Sequence, residues 1–276
     1  MSLSTIKKNN KVYLKDYTTP NYLIPKLKLD FTIESDQKII VTNTLTVTPN
    51  TTQPESPLKL NGDASFLTLK SIKINNQPIA IKTPVNNILT LDTYNTETEI
   101  VIITEFNPNQ NLALEGIYNS DHILCSQNEP QGFRRITYFM DRPDIMSCYT
   151  VSITADPKQY PILLANGNKI SETTTKNGQL QVIWEDPFPK PCYLFAFVAG
   201  KLEKVTDTFI TQSKRQVQLE IYVNPGNENY TEFAMNALKK SMKWDETHYG
   251  REYDLDLYMI VAVDSFNMGA MENKGL

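Results

Sequence analysis

A mostly β chain is predicted: a β-sandwich or saddle-shaped sheet module over residues 1–201, followed by the opening of a mixed α/β domain over residues 202–276. Three observations predict it. Up to about residue 200, short runs alternate apolar and polar residues with a period of two, and polar turns separate them. After Gly200 a strand-like run is followed by apolar residues at helical spacing and then by a second, more apolar run. The chain's 276 residues, 40 % of them hydrophobic, suffice for two ordinary domains, each with a core.

The first module is read from its alternating segments. "LKLDFTI" places Leu27, Leu29, Phe31 and Ile33 on one face, and "EIVIITEF" and "YTVSIT" alternate in the same way. That is the pattern of antiparallel strands buried on one side. Asn177-Gly178, between "KISETTT" and "QLQVIW", suits a tight primed hairpin turn, in which both central residues take positive φ. Asn61-Gly62 and Asn166-Gly167 punctuate the chain similarly.

In the second module "VQLEIYV" reads as a strand, and Phe233, Ala234, Ala237, Leu238 and Met242 mark a helix, with Asn229 and Glu232 as its capping pair and Gly250 as its stop. The strand "LYMIVAV" follows, and the chain is expected to end before this domain is complete.

Composition excludes several classes. A net charge of −4, with acidic and basic residues interspersed, leaves no electrostatic footprint for nucleic acid. No apolar run approaches the length of a membrane span, and the N-terminus lacks a signal-peptide core, so a soluble cytoplasmic protein is expected. Cys125, Cys148 and Cys192 are odd in number and widely spaced, which suits reduced thiols. His122 and His248 have no partner at metal-ligand spacing, so no zinc or other metal is expected on this chain.

Two polar stretches beside strands remain. In "CSQNEPQGFRRITYFMDRPD", Gln127 and Glu129 point to the same side of an extended segment. A carboxylate beside an amide suits an ammonium group; equally, Glu129 pairs with Arg134 or Arg135 and ties a loop to the sheet. In "SFNMGAMENKGL", Gly269 and Ala270 let another backbone approach, and Glu272 offers a carboxylate just beyond. That suits an edge that receives a peptide as an added strand, or else a loop in which Met268 and Met271 are packing residues.

"GAMEN", at residues 269–273, resembles the signature pentapeptide of the aminopeptidase N family of gluzincin zinc metallopeptidases. "QNEPQGFRRITYFMDRPD", "LLANGN", "WEDPFPKPCYLFAFVAG" and "SMKWDETHYGREYDLDLYMIVAVD" are similar to successive segments of bacterial members. The resemblance implies a saddle-like β-domain and the start of a thermolysin-like catalytic domain. It implies that Gly269, Ala270, Met271, Glu272 and Asn273 form the strand that receives the substrate backbone. It further implies that Glu272 and Glu129 bind the free α-ammonium of a peptide, while Gln127 and Met268 lie near its first side chain.

The family's zinc motif, H-E-x-x-H, is absent from this sequence, so zinc is expected only in a complete, monomeric enzyme and no catalytic residue is expected here. The competing expectation is a stand-alone β-rich binding or scaffold module without catalysis.

Because "LYMIVAV" requires cover on both faces, and a domain expected to be incomplete is expected to leave part of it uncovered, the part beyond residue 200 is expected to be loosened and limited proteolysis to release a stable β-fragment ending near residue 200. Evenly spread cleavage, or a second part that outlasts the first, would place the boundary elsewhere.

Overall fold

The computed structural model describes residues 13–264, 266 and 268–276. The N-terminal "MSL" and residues Ser265 and Asn267 of the final polar stretch lie outside the described residues. The largest sheet has eight strands in the order β12 (Asn168–Thr174), β13 (Leu180–Lys190), β10 (Ser147–Ala155), β1 (Tyr22–Ser35), β2 (Lys38–Pro49), β7 (Thr98–Phe106), β4 (Thr68–Ile74) and β5 (Gln77–Ile79). Only the β1–β10 pair within it is parallel. A four-stranded sheet, β11 (Ile162–Ala165), β14 (Phe197–Gly200), β9 (Ile123–Gln127) and β8 (Gly116–Ser120), packs against it. β3 (Lys59–Asn61) and β6 (Ile88–Thr90) form a small ribbon.

The alternating residues do what their period requires. Leu27, Leu29, Phe31 and Ile33 of β1 are buried, as are Ile100 and Ile102 of β7 and Tyr149, Val151 and Ile153 of β10. Each such Leu, Ile or Phe contributes about 1.5–3 kcal/mol by leaving water. Aromatic rings fill the interface between the sheets: Phe31 lies 4.9 Å from Phe197 and 6.1 Å from Phe195, and Phe195 meets Phe133 edge-on at 5.4 Å. Trp184 Nε1 donates across the same interface to the Leu163 carbonyl at 3.1 Å.

The β12–β13 connection differs from the expected primed turn. Asn177 keeps an ordinary φ and only Gly178 is left-handed, at φ 79°. Gly178 N–H donates to Thr175 O, and Thr175 N–H donates to Gln179 O. The loop is therefore longer than two residues, and a single positive-φ residue reverses it.

Beyond residue 200, β15 (Glu203–Ile210), β16 (Gln216–Val223) and β17 (Leu257–Val261) form a three-stranded sheet, with α1 (Glu232–Tyr249) crossing between the parallel strands β16 and β17. Val217, Leu219, Ile221 and Val223 face Met235, Leu238 and Met242 of α1. Tyr222, Leu257 and Met259 join the large core of the preceding sheets. β17 is thus covered on both faces, which explains its nearly continuous apolar sequence.

Gly250 ends α1 in the left-handed conformation at φ 61°, but the N-cap is Thr231 rather than Asn229. A 3-10 turn over Glu228–Tyr230 occupies the expected capping position, and Thr231 Oγ1 donates back to Glu228 O instead of capping the helix.

Lys190 and Asp186, in the last residues of strand β13, are 2 % and 0 % exposed, with Nζ 3.1 Å from Oδ2. The ammonium lies off the axis of a good hydrogen bond and 3.5 Å above the Tyr149 ring, so charge attraction and the π-face hold it. Burial lowers Lys190 from the usual 10.5 to about 8, and Asp186 opposes that shift. Lys190→Met should therefore destabilise the fold by about 3–5 kcal/mol in denaturant titrations, because it strands the Asp186 charge. Between pH 8 and 10.5 the unfolded chain holds the Lys190 proton more tightly than the folded one. The unfolding free energy of the parent, relative to Lys190→Met, should accordingly rise with pH across that window and be level below it.

Candidate functional site

The candidate site lies where the middle sheet meets the end of the chain. β17 leads out of the three-stranded sheet, Ala262 N–H still donating to Tyr222 O at 2.9 Å. Asn224 Nδ2 then holds Asp264 Oδ2 at 2.7 Å. Phe266, Met268 and the "GAMEN" segment follow in sequence.

A cavity of about 510 Å³ opens there, with Cys125 and Ser126 of β9, Phe197 and Val198 of β14, and the length of β17 as walls. Met268, Gly269, Ala270, Met271, Glu272 and Asn273 complete the lining. Six of the eight residues singled out in the sequence therefore share one concavity.

Gln127 reaches the same segment from the other module. It is 2 % exposed at the end of β9, and its Nε2 lies 3.8 Å from Met271 Sδ, a weak hydrogen bond between residues 144 apart in sequence. Its Oε1, like Asn273 Oδ1, is buried without a hydrogen-bond partner among the described residues. Buried amide oxygens are ordinarily satisfied, so these two carry unused accepting capacity at the site.

Glu129 stands apart: it is exposed, two residues beyond β9 at the cis Glu129–Pro130 peptide, and is not among the residues lining the cavity. Nor does it tie the loop down. Arg134 pairs with Asp141 at 2.8 Å and Arg135 with Asp63 at 2.5 Å, which leaves Glu129 outside the ion pairs among the described residues. Glu272 is likewise exposed.

The segment is not the edge strand that was expected. Residues 269–273 make no ladder bonds among the described residues; the free edge of β17 is instead met two residues later, where Met259 N–H donates to Gly275 O at 3.0 Å. Gly275 adopts φ 77°, and a Cβ there would stand 2.9 Å from Leu255 Cδ1.

Lys274 is held beside it, its Nζ 2.6 Å from Asp254 Oδ2 and 4.6 Å above the Phe188 ring. Asn166 Nδ2 bonds the Lys274 carbonyl at 2.8 Å. Sequence reasoning read Asn166 only as turn punctuation; the one available signal was its place in "LLANGN", a segment quoted for the resemblance.

The arrangement can bind and orient, but the described residues provide no metal centre: no group of three or more His, Cys, Asp or Glu side chains converges among them. His248 Nδ1 instead meets Trp244 O at 2.9 Å, and its ring stacks on Trp244 at 4.2 Å. The three cysteines are free, and burial pushes Cys125 up to about 11. No helix among the described residues is long and apolar enough to cross a membrane.

The cavity thus lies in a groove between a β-module and strands and a helix of an α/β module. The chain belongs to peptidase family M1: residues 18–194 match the peptidase M1 N-terminal domain and residues 233–276 the peptidase family M1 domain. It is 46 % identical over 264 residues to aminopeptidase N of Escherichia coli (strain K12), covering 96 % of this chain and 30 % of that protein. Identity to aminopeptidase N of Caulobacter vibrioides is 49 % over 222 residues, covering 80 % of this chain and 25 % of that protein. A crystal structure of Legionella pneumophila aminopeptidase A in complex with aspartic acid superposes with a TM-score of 0.89 at 31 % identity, over 95 % of this chain and 31 % of that one. The chain thus spans about a third or less of the length of these relatives.

Gly275→Ala should lower stability by about 1 kcal/mol or more, because a left-handed residue gains a Cβ that meets Leu255. Thermal unfolding of the variant against the parent checks it.

Proposed function

We propose that this chain forms the substrate-recognition part of a zinc metallo-aminopeptidase that removes N-terminal residues from peptides in the cytoplasm. The observation that carries this reading is the 510 Å³ cavity walled by β9, β14, β17 and residues 268–273, with the two modules joined at Gln127 and Met271. Relatives that match nearly the whole chain are aminopeptidases, which supports the same reading.

Gly269 and Ala270 are exposed on the cavity wall and have almost no side chain, so a peptide backbone can approach theirs closely. Glu272 is the carboxylate nearest that approach along the chain, and an ammonium leaving water binds it through charge-assisted hydrogen bonds. The unused Asn273 Oδ1 and Gln127 Oε1 are further acceptors suited to a cation's N–H groups. Met268 and Gln127 flank the place of the first side chain, and Glu129 adds a second negative charge from the β-module.

Zinc in such an enzyme activates water and polarises the scissile carbonyl. The residues described here do not form its ligand set, so we assign the metal to other parts of the enzyme and derive no step through it.

In the full-length enzyme, Glu272→Ala should reduce kcat/KM for free-amine peptides by about 2–5 kcal/mol of transition-state binding, and Glu129→Ala by about 1 kcal/mol, because Glu129 acts from an exposed position outside the cavity lining, with metal content unchanged in both. N-acetylated peptides should be poor substrates of the parent. Equal turnover of acetylated and free peptides, or full activity in either variant, would remove the ammonium-anchor role.

A further inference from the structure

We infer that Asn166 is a positioning residue that sets the spacing across the peptide cavity, an inference that rests on the proposed ammonium role of Glu272. Asn166 is 1 % exposed and its amide is fully used. Nδ2 donates to Leu194 O at 2.9 Å and to Lys274 O at 2.8 Å, and Oδ1 accepts from Ala196 N–H at 2.7 Å.

Leu194 and Ala196 belong to the segment that runs into β14, one wall of the cavity; Lys274 directly follows residues 268–273, another part of its lining. One side chain therefore ties both walls together, from the turn between β11 and β12. Glu272 and Gly269 themselves are exposed, so the backbone pin at residue 274 and the Met259–Gly275 bond fix the end of a segment with few other restraints. Gly167, next to Asn166, has φ 96°, and a Cβ there would stand 2.2 Å from Glu185 O, so the turn that presents the amide has little freedom to shift.

An aspartate in this place keeps the shape and the acceptor but replaces the NH2 group, with its two donors, by one oxygen that faces the Leu194 and Lys274 carbonyls. The wall carrying Glu272 then loses its tie. A small displacement of a binding group costs about a hundredfold when binding depends on orientation.

The test uses the full-length enzyme with Asn166→Asp, Asn166→Ser and Glu272→Gln. For each, the inhibition constants of two competitive inhibitors that differ only in the α-amino group are measured, along with metal content, circular dichroism and the split between KM and kcat. The preference for the amine-bearing inhibitor should fall roughly ten- to a hundredfold in the Asn166 variants while metal content and fold are retained.

If Glu272→Gln abolishes the preference and the folded Asn166 variants keep it, the positioning role is overturned and the ammonium reading stands. If Glu272→Gln also keeps it, both fall. Failure of both Asn166 variants to fold overturns the inference as well, since Asn166 would then hold the whole fold rather than the cavity.

Discussion

The structure depends on one layer that has no solvent side. Every residue of β9 and β14 is buried, because the eight-stranded sheet covers one face of their sheet and β17, with the returning chain end, closes over the other. Polar groups in such a layer must find partners inside the protein. Ser126 Oγ accepts from Phe197 N–H at 2.9 Å, and Asn128 Nδ2 donates to Phe195 O at 2.7 Å. The polar residues of the layer thus act as fasteners between segments, and the apolar ones give the cavity a firm wall backed by the Phe31, Phe195 and Phe197 rings.

A second constraint is the ion pair sealed at the end of β13. The attraction between Lys190 and Asp186 works in a low dielectric, against the cost of taking both charges out of water. Its neighbourhood is also where the two modules meet: Phe188, between the paired residues in sequence, carries Lys274 on its ring. The charge of Lys274 adds to the burial that lowers Lys190. Electrostatics inside the first module and the anchoring of the second module's chain end are therefore coupled through one hairpin.

The division of labour follows from the same geometry. Neither module encloses the cavity alone: one supplies β9, β14 and Gln127, and the other supplies β17 and the residues that carry "GAMEN". The chain belongs to peptidase family M1, and it spans about a third or less of the length of the aminopeptidases it matches. The shared core at Tyr222, Leu257 and Met259 makes the relative placement of these walls a packing property rather than one left to a linker.

By itself, the sequence determined the local elements and the family. The period of two in β1, β7 and β10, the helical spacing and Gly250 stop of α1, and the apolar run of β17 are local signals, set by which side chains must leave water. "GAMEN" marked the segment that reaches the cavity. Tertiary structure alone decided the rest. Residues 269–273 take no strand form, and the edge N–H of Met259 goes to Gly275 instead; Thr231 replaces Asn229 as the helix cap because a 3-10 turn intervenes; Glu129 stays outside the cavity. Asn166 and Lys190 had no legible role in sequence, since their partners lie 108 residues away in one case and in the burial of a whole hairpin in the other. Hydrogen bonds and charge pairs of that kind depend on which chains meet in space, and a one-dimensional pattern records only which side chains avoid water.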